Sequence, residues 1–176
     1  KVGCYFETGQ RKEAIELCRQ VIKDDDRNVD AYKQIIVLLL AENLYSEAYE
    51  YAKIYVDLQP FSPTSHYYMA RCAKEVQDYR LAFDEINEAI NYDKTNLEFY
   101  LLECRILLKT GNYDLIKDIL KFLKDNDTMG NLEIRYIEAQ ILRYHNDKQG
   151  MSLTEYKVIE KPEILFARIS IVDSIA

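Results

Sequence analysis

Glycine and proline are scarce, at 5 and 3 of 176 residues. Together with 48% hydrophobic and 30% charged residues, that scarcity describes a soluble helical protein and excludes a disordered one. Basic residues are outnumbered, 23 Lys and Arg against 30 Asp and Glu, and the net charge of −7 argues against general affinity for nucleic acid or anionic membrane. Only 2 histidines are present, His66 and His145, and neither lies in register with a cysteine, so no His–Cys or Ser–His–Asp constellation is supported. The 4 cysteines, Cys4, Cys18, Cys72 and Cys104, contain no CxxC and no spacing that suits zinc. They read as buried free thiols in a reducing compartment, hence a cytoplasmic location with no metal and no cofactor. There is no signal-like start, and no stretch of about 20 apolar residues that would cross a membrane.

What is present is a 34-residue period. The segments Val29–Ser62, Pro63–Asn96, Leu97–Gly130 and Asn131–Ile164 follow one another without a gap, and Lys1–Asn28 is the tail of an earlier copy. Numbered within the repeat, position 20 reads Ala14, Ala48, Ala82, Ile116 and Gly150, and position 17 reads Tyr45, Tyr79 and Tyr113. Position 15 supplies Gly9 and Gly111, and position 32 supplies Pro60 and Pro162. Position 34 is Asn28, Ser62, Asn96 and Gly130, each suited to capping the orphan N–H groups of a following helix. Pro63 fits the first helical position, where no N–H is needed. Between the caps, apolar residues fall at helical spacing, as in Tyr32, Ile35, Ile36, Leu39 and Leu40 and then Ala48, Tyr51, Ala52, Tyr55 and Val56. No stretch alternates with period two for long enough to argue a strand. Each repeat is therefore a helix pair that buries its apolar face only by stacking on its neighbours.

This pattern resembles the tetratricopeptide repeat (TPR) family, whose signature has apolar residues at positions 4, 7, 11 and 24 and small ones at 8, 20 and 27. Pro63–Asn96 matches best, through Met69, Ala70, Tyr79, Ala82, Ile86, Ala89 and Ile90. Val29–Ser62 departs with Ile36 at position 8 and Tyr55 at position 27, and Leu97–Gly130 with Glu103 at position 7 and Ile116 at position 20. The last copy keeps Ile134, Ile137, Ile141 and Pro162 but carries Glu138, Asp147, Gly150 and Lys157 at signature positions. The resemblance implies an all-α, right-handed α-solenoid over residues 1–162, with a partial repeat at 1–28, full repeats at 29–62, 63–96 and 97–130, and a degenerate one at 131–162. It transfers no catalytic residue, and no enzyme activity is expected.

In TPR proteins the first helix of each repeat lines a concave groove, and the resemblance places Lys33, Tyr67, Arg71, Lys74, Arg105, Lys109, Arg135 and Arg143 there. Phe6, Val37, Leu40, Leu101 and Leu108 are interleaved with them, while Glu7, Asp30, Glu75 and Glu98 dilute the positive field. Arginine's planar fork suits carboxylates, so an acidic or carboxylate-bearing peptide is the expected ligand. The full clamp of the co-chaperone TPR domains is missing, because Val37 stands where Asn is wanted and Tyr67 and Leu101 where Lys is wanted. Asp24-Asp25-Asp26 lacks the glycine and distal glutamate of a calcium loop and reads as a solvated turn. The 15 tyrosines fall mostly at core positions and read as packing rather than as a stacking surface for bases.

Residues 163–176 are expected to form a last helix whose Ile164, Leu165, Phe166, Ile169, Ile171, Val172 and Ile175 are apolar over more than one face. Phe166, Ile169 and Val172 are accordingly expected at a contact with a partner or a second copy, giving a homodimer, unless more chain follows. Because Lys1 falls in mid-repeat, the chain reads as a piece of a larger protein. The function expected is a non-catalytic scaffold binding a protein or peptide. The alternative is an accessory domain that recruits substrate to, or dimerises, a larger enzyme such as a protein-modifying transferase.

Overall fold

The computed structural model describes residues 11–127 and 130–149, with side chains to 145. Lys1, Phe6 and Glu7, together with the predicted helix 163–176 and its Phe166, Ile169 and Val172, lie outside the described residues. Eight helices are found among those described, and no strand. They are α1 (Arg11–Asp24), α2 (Val29–Ala41), α3 (Tyr45–Leu58), α4 (Pro63–Glu75), α5 (Tyr79–Tyr92), α6 (Leu97–Thr110), α7 (Tyr113–Asn126) and α8 (Leu132–Gln149). The architecture is an all-α solenoid of helix–turn–helix repeats. The chain divides into two compact units, residues 1–99 and 100–176.

The helix starts follow from short polar side chains. Asn28 Oδ1 accepts from the Ala31 N–H at 3.0 Å, and Asn96 Oδ1 accepts from the Glu98 N–H at 3.1 Å. Ser62 departs from the expectation, since its side chain makes no cap bond. Instead the Ser65 hydroxyl, buried under the turn, lies 2.6 Å from the Gln59 carbonyl and 2.8 Å from that of Ser62. The start of α8 is shifted by one residue. Asn131, rather than Gly130, supplies the acceptor, taking the Glu133 N–H at 2.8 Å, while Gly130 adopts φ +70° before it.

The turn between the helices of each full repeat is one device used three times. Position 15 is left-handed in these three copies, with Asn43 at φ +59°, Gln77 at +66° and Gly111 at +74°, whereas position 15 of the last copy, His145, lies inside α8. The next N–H then reaches back to the fifth residue before it, Leu44 to Leu39, Asp78 to Ala73 and Asn112 to Leu107, each at 2.9 Å. This satisfies a carbonyl left orphaned at the helix end and turns the chain into the second helix.

In the first unit each helix packs on the next in sequence from α1 to α5. Their core joins Ala14, Ile15 and Cys18 to Tyr32, Ile35, Ile36, Leu38 and Leu39, then to Ala48, Ala52, Tyr55, Met69 and Cys72. Ile36 and Tyr55, bulkier than the TPR pattern, are both buried there. Full burial of each large aliphatic side chain contributes about 1.5–3 kcal/mol. Ala48, Ala52, Ala82 and Ala89 are wholly buried, as close helix approach requires. In the second unit α7 packs on α8, with Tyr113 stacked on Tyr144 at 4.2 Å between ring centroids, while the Tyr100 ring of α6 meets Phe122 of α7 at 4.5 Å.

Candidate interaction face

The first helices of the repeats carry the predicted groove residues, and packing sorts those residues into unequal roles. Lys33 is exposed on α2. On α4 Tyr67 is buried, its ring tilted against Phe99 at 5.2 Å and its hydroxyl 3.4 Å from Glu98 Oε1. Tyr67 therefore builds the floor of the face and is not its surface. Tyr68 meets it edge-on at 5.4 Å, and Tyr55 of α3 lies 6.4 Å from Tyr68.

The Arg71 guanidinium lies over that floor, 5.6 Å from the Tyr67 ring and 5.8 Å from the Tyr68 ring. Attraction to the two rings holds the group in place, while its N–H edge stays open to an acceptor. No carboxylate pairs with it among the described residues. Lys74, one turn further on, is already engaged by Glu75 at 2.6 Å.

Arg105 occupies the same register position on α6 and behaves differently. Its Nη2 donates to Glu133 Oε2 at 2.6 Å and its Nε to Oε1 of the same carboxylate. With side-chain exposures of 14% and 7%, this is a largely buried two-pronged ion pair, its arginine half-buried, tying α6 to α8. The cause is the third residue of the following repeat, which is Glu133 after Arg105 but Phe99 after Arg71. Register within one helix could not reveal this, because the deciding residue lies on the first helix of the next repeat. Of the other residues, Lys109, Arg135 and Arg143 are exposed in the second unit, and Leu101, read as an apolar contact of the groove, is buried.

Other polar groups are also absorbed by the fold. His66, buried on α4, places Nδ1 2.7 Å from Glu85 Oε2 and Nε2 2.9 Å from the Pro60 carbonyl, and it stacks on Tyr92. It thereby ties the α3–α4 turn to α5. Asp25 accepts from the Arg27 N–H at 3.1 Å, as a solvated turn should. Cys18, Cys72 and Cys104 are buried free thiols, and burial pushes Cys72 up to about 12, well away from thiolate chemistry. Glu103 is buried on α6 without a hydrogen bond among the described residues, and desolvation pushes its carboxyl up to about 7. No cluster of three metal-ligating side chains occurs among the described residues, and no described helix is long and apolar enough to cross a membrane.

Solved structures with this fold include MamA, at TM-score 0.68 and 16% identity, covering 85% of this chain and 96% of that one. A second MamA structure, from Desulfovibrio magneticus RS-1, matches at TM-score 0.68 and 11% identity over 74% of this chain and 73% of its own. YrrB, described as a TPR protein with an unusual peptide-binding site, matches at TM-score 0.68 and 13% identity over 84% of this chain and 76% of that one. No family model and no curated protein matches the sequence. The chain has the fold of a tetratricopeptide repeat protein.

Proposed function

We propose that this chain is a non-catalytic TPR scaffold that holds a protein or peptide partner on the first-helix face of α2 and α4, through an acidic or carboxylate-bearing segment. The observation that carries this reading is the state of Arg71, a half-buried guanidinium set on two tyrosine rings with no carboxylate of its own. Such a group offers a planar fork to an incoming carboxylate at little cost in reorganisation, since its position is already held. Lys33 on α2 adds positive charge to the same unit, and Lys74 adds a second point charge shared with Glu75. The peptide-binding site named for YrrB supports the same class of activity on a similar fold. The buried thiols suit a reducing, cytoplasmic setting.

The test uses peptides selected on the purified chain from a displayed random library. Each selected peptide is compared with a version whose carboxylates are amidated or replaced by Lys, and affinity is followed against salt. Binding should weaken with added salt, because exposed charges are screened over about 8 Å at physiological ionic strength. Arg71→Glu should reduce affinity by at least about tenfold, the scale of one lost charge-assisted hydrogen-bond pair. Undiminished binding by Arg71→Glu, with an unchanged circular dichroism spectrum, would overturn the assignment.

A further inference from the structure

The second helices of the repeats carry a change that the groove does not explain. Positions 21 and 28 of the repeat are apolar in three successive copies, Ile15 and Ile22 on α1, Tyr49 and Val56 on α3, and Phe83 and Ile90 on α5. Ile15 belongs to the core of the first unit, and Ile22, Tyr49 and Val56 pack against it. On α7 both positions become lysine, Lys117 and Lys124, and Lys121 joins them at i+4. One face of this helix has changed from an apolar seam to a row of ammonium groups.

That row lines an open hollow of about 350 Å³ bounded by Lys117, Leu120, Lys121, Lys124 and Asp125. Leu120 forms an apolar floor at 9% exposure. Lys124 reaches Glu138 of α8 at 2.7 Å. Lys117 and Lys121 form no ion pair among the described residues, although Asp114 and Asp118 stand three residues before them. Like charges four apart on a helix repel one another. A protein of net charge −7 thus places two lysines without an ion pair, Lys117 and Lys121, on one strip beside a hollow with an apolar base.

We propose that this face of α7 is a second docking surface, separate from the Arg71 face, and that its occupant is an acidic peptide segment of a protein partner. Spacing favours this chemistry. At 1.5 Å rise per residue the three lysines are staggered by about 6 and then 4.5 Å along the helix, over about 10.5 Å in all. Acidic side chains two residues apart on an extended peptide point the same way at about 6.7 Å, so two or three of them match the row. The lysine stems and Leu120 would cover the apolar parts of the same segment.

The probe is a fluorescent 12-residue peptide of alternating Glu and Ser, titrated into the full chain by anisotropy, with backbone amide shifts recorded alongside. The expected result is saturable binding with shifts clustered at residues 117–125, and roughly tenfold weaker affinity in Lys117→Glu/Lys121→Glu. Lys117→Gln/Lys121→Gln should lie between the two, which guards against a folding defect in the reversed pair. The same change in net charge on α1, Lys12→Glu/Lys23→Glu, should leave affinity within about twofold. The proposal is overturned if the full chain does not bind the probe, if the α1 control weakens binding equally, or if affinity survives reversal of Lys117 and Lys121. Shifts confined to α4, abolished by Arg71→Glu, would also overturn it while supporting the Arg71 face.

Discussion

Gln77 holds φ +66° at the place where Gly111 holds +74° and Asn43 +59°. A residue with a Cβ in the left-handed region costs about 1–2 kcal/mol, and glycine escapes this while gaining about 0.4–1 kcal/mol of freedom in the unfolded chain. Gln77→Gly should therefore stabilise the protein by roughly 0.5–1 kcal/mol, raising the melting midpoint by a few degrees. Gly111→Ala should destabilise by about 1 kcal/mol. A Cβ there would meet only the Tyr113 ring at 4.0 Å, so the cost would be backbone conformation and not a clash. Thermal melts of both variants check the pair, and opposite signs of the two shifts are the expected signature. The sequence made this turn visible at Gly111 but not at Gln77, because glutamine carries no turn preference and its backbone is imposed by the helix end it closes. Arg71 and Arg105 show the same kind of limit. Their register was legible, but their opposite roles were not, because these depend on Phe99 and Glu133 one repeat further on.

At the scale of the element, the second helix meets the first through buried alanines in the repeats that carry Ala48 and Ala82, and these allow close approach. Ala82 of α5 has no exposed surface, whereas Glu88, six residues later, is exposed. Replacing Ala82 with Leu should overpack this contact and cost about 1–3 kcal/mol, while Glu88→Ala should stay within about 0.5 kcal/mol. Chemical denaturation with a shared slope checks both, and equal effects would contradict helix pairing through position 20. The helices themselves were readable because independent signals agree: a cap residue and an apolar stripe at helical spacing recur, and a small residue stands at the crossing in the copies that carry Ala14, Ala48 and Ala82. Where one signal was weaker, the reading slipped by a residue. Gly130 could cap α8 by virtue of its backbone alone, but Asn131 offers a side-chain acceptor and takes the role. At Ser62 the backbone already enters the helix through Pro63, and the hydroxyl that ties down the turn comes from Ser65.

At the scale of the whole molecule, the two units differ in how their buried polar groups are satisfied. Ser65 and His66 of the first unit are hydrogen-bonded, whereas Glu103 of the second, at 9% exposure, has no side-chain hydrogen bond among the described residues. Burial raises this carboxyl from 4.5 to about 7, so the folded state binds a proton that the unfolded chain releases at lower pH. Stability is therefore greatest below about pH 4.5 as far as this group is concerned, falls as the pH climbs towards 7, and stays lower above it. At 1.36 kcal/mol per pH unit the loss is on the order of 3 kcal/mol. Neighbouring repeats of a solenoid couple only through their interfaces, so such a loss need not spread evenly along the chain. Amide hydrogen exchange, corrected for intrinsic rates, should show α7 and α8 losing protection between pH 5 and pH 8 while α2 to α5 change little. Glu103→Leu restores the apolar residue expected at position 7 and should remove most of that difference, raising stability at pH 8 far more than at pH 4. Uniform protection across both units at both pH values, or equal stabilisation by Glu103→Leu at pH 4 and pH 8, would show that this carboxyl does not govern the second unit.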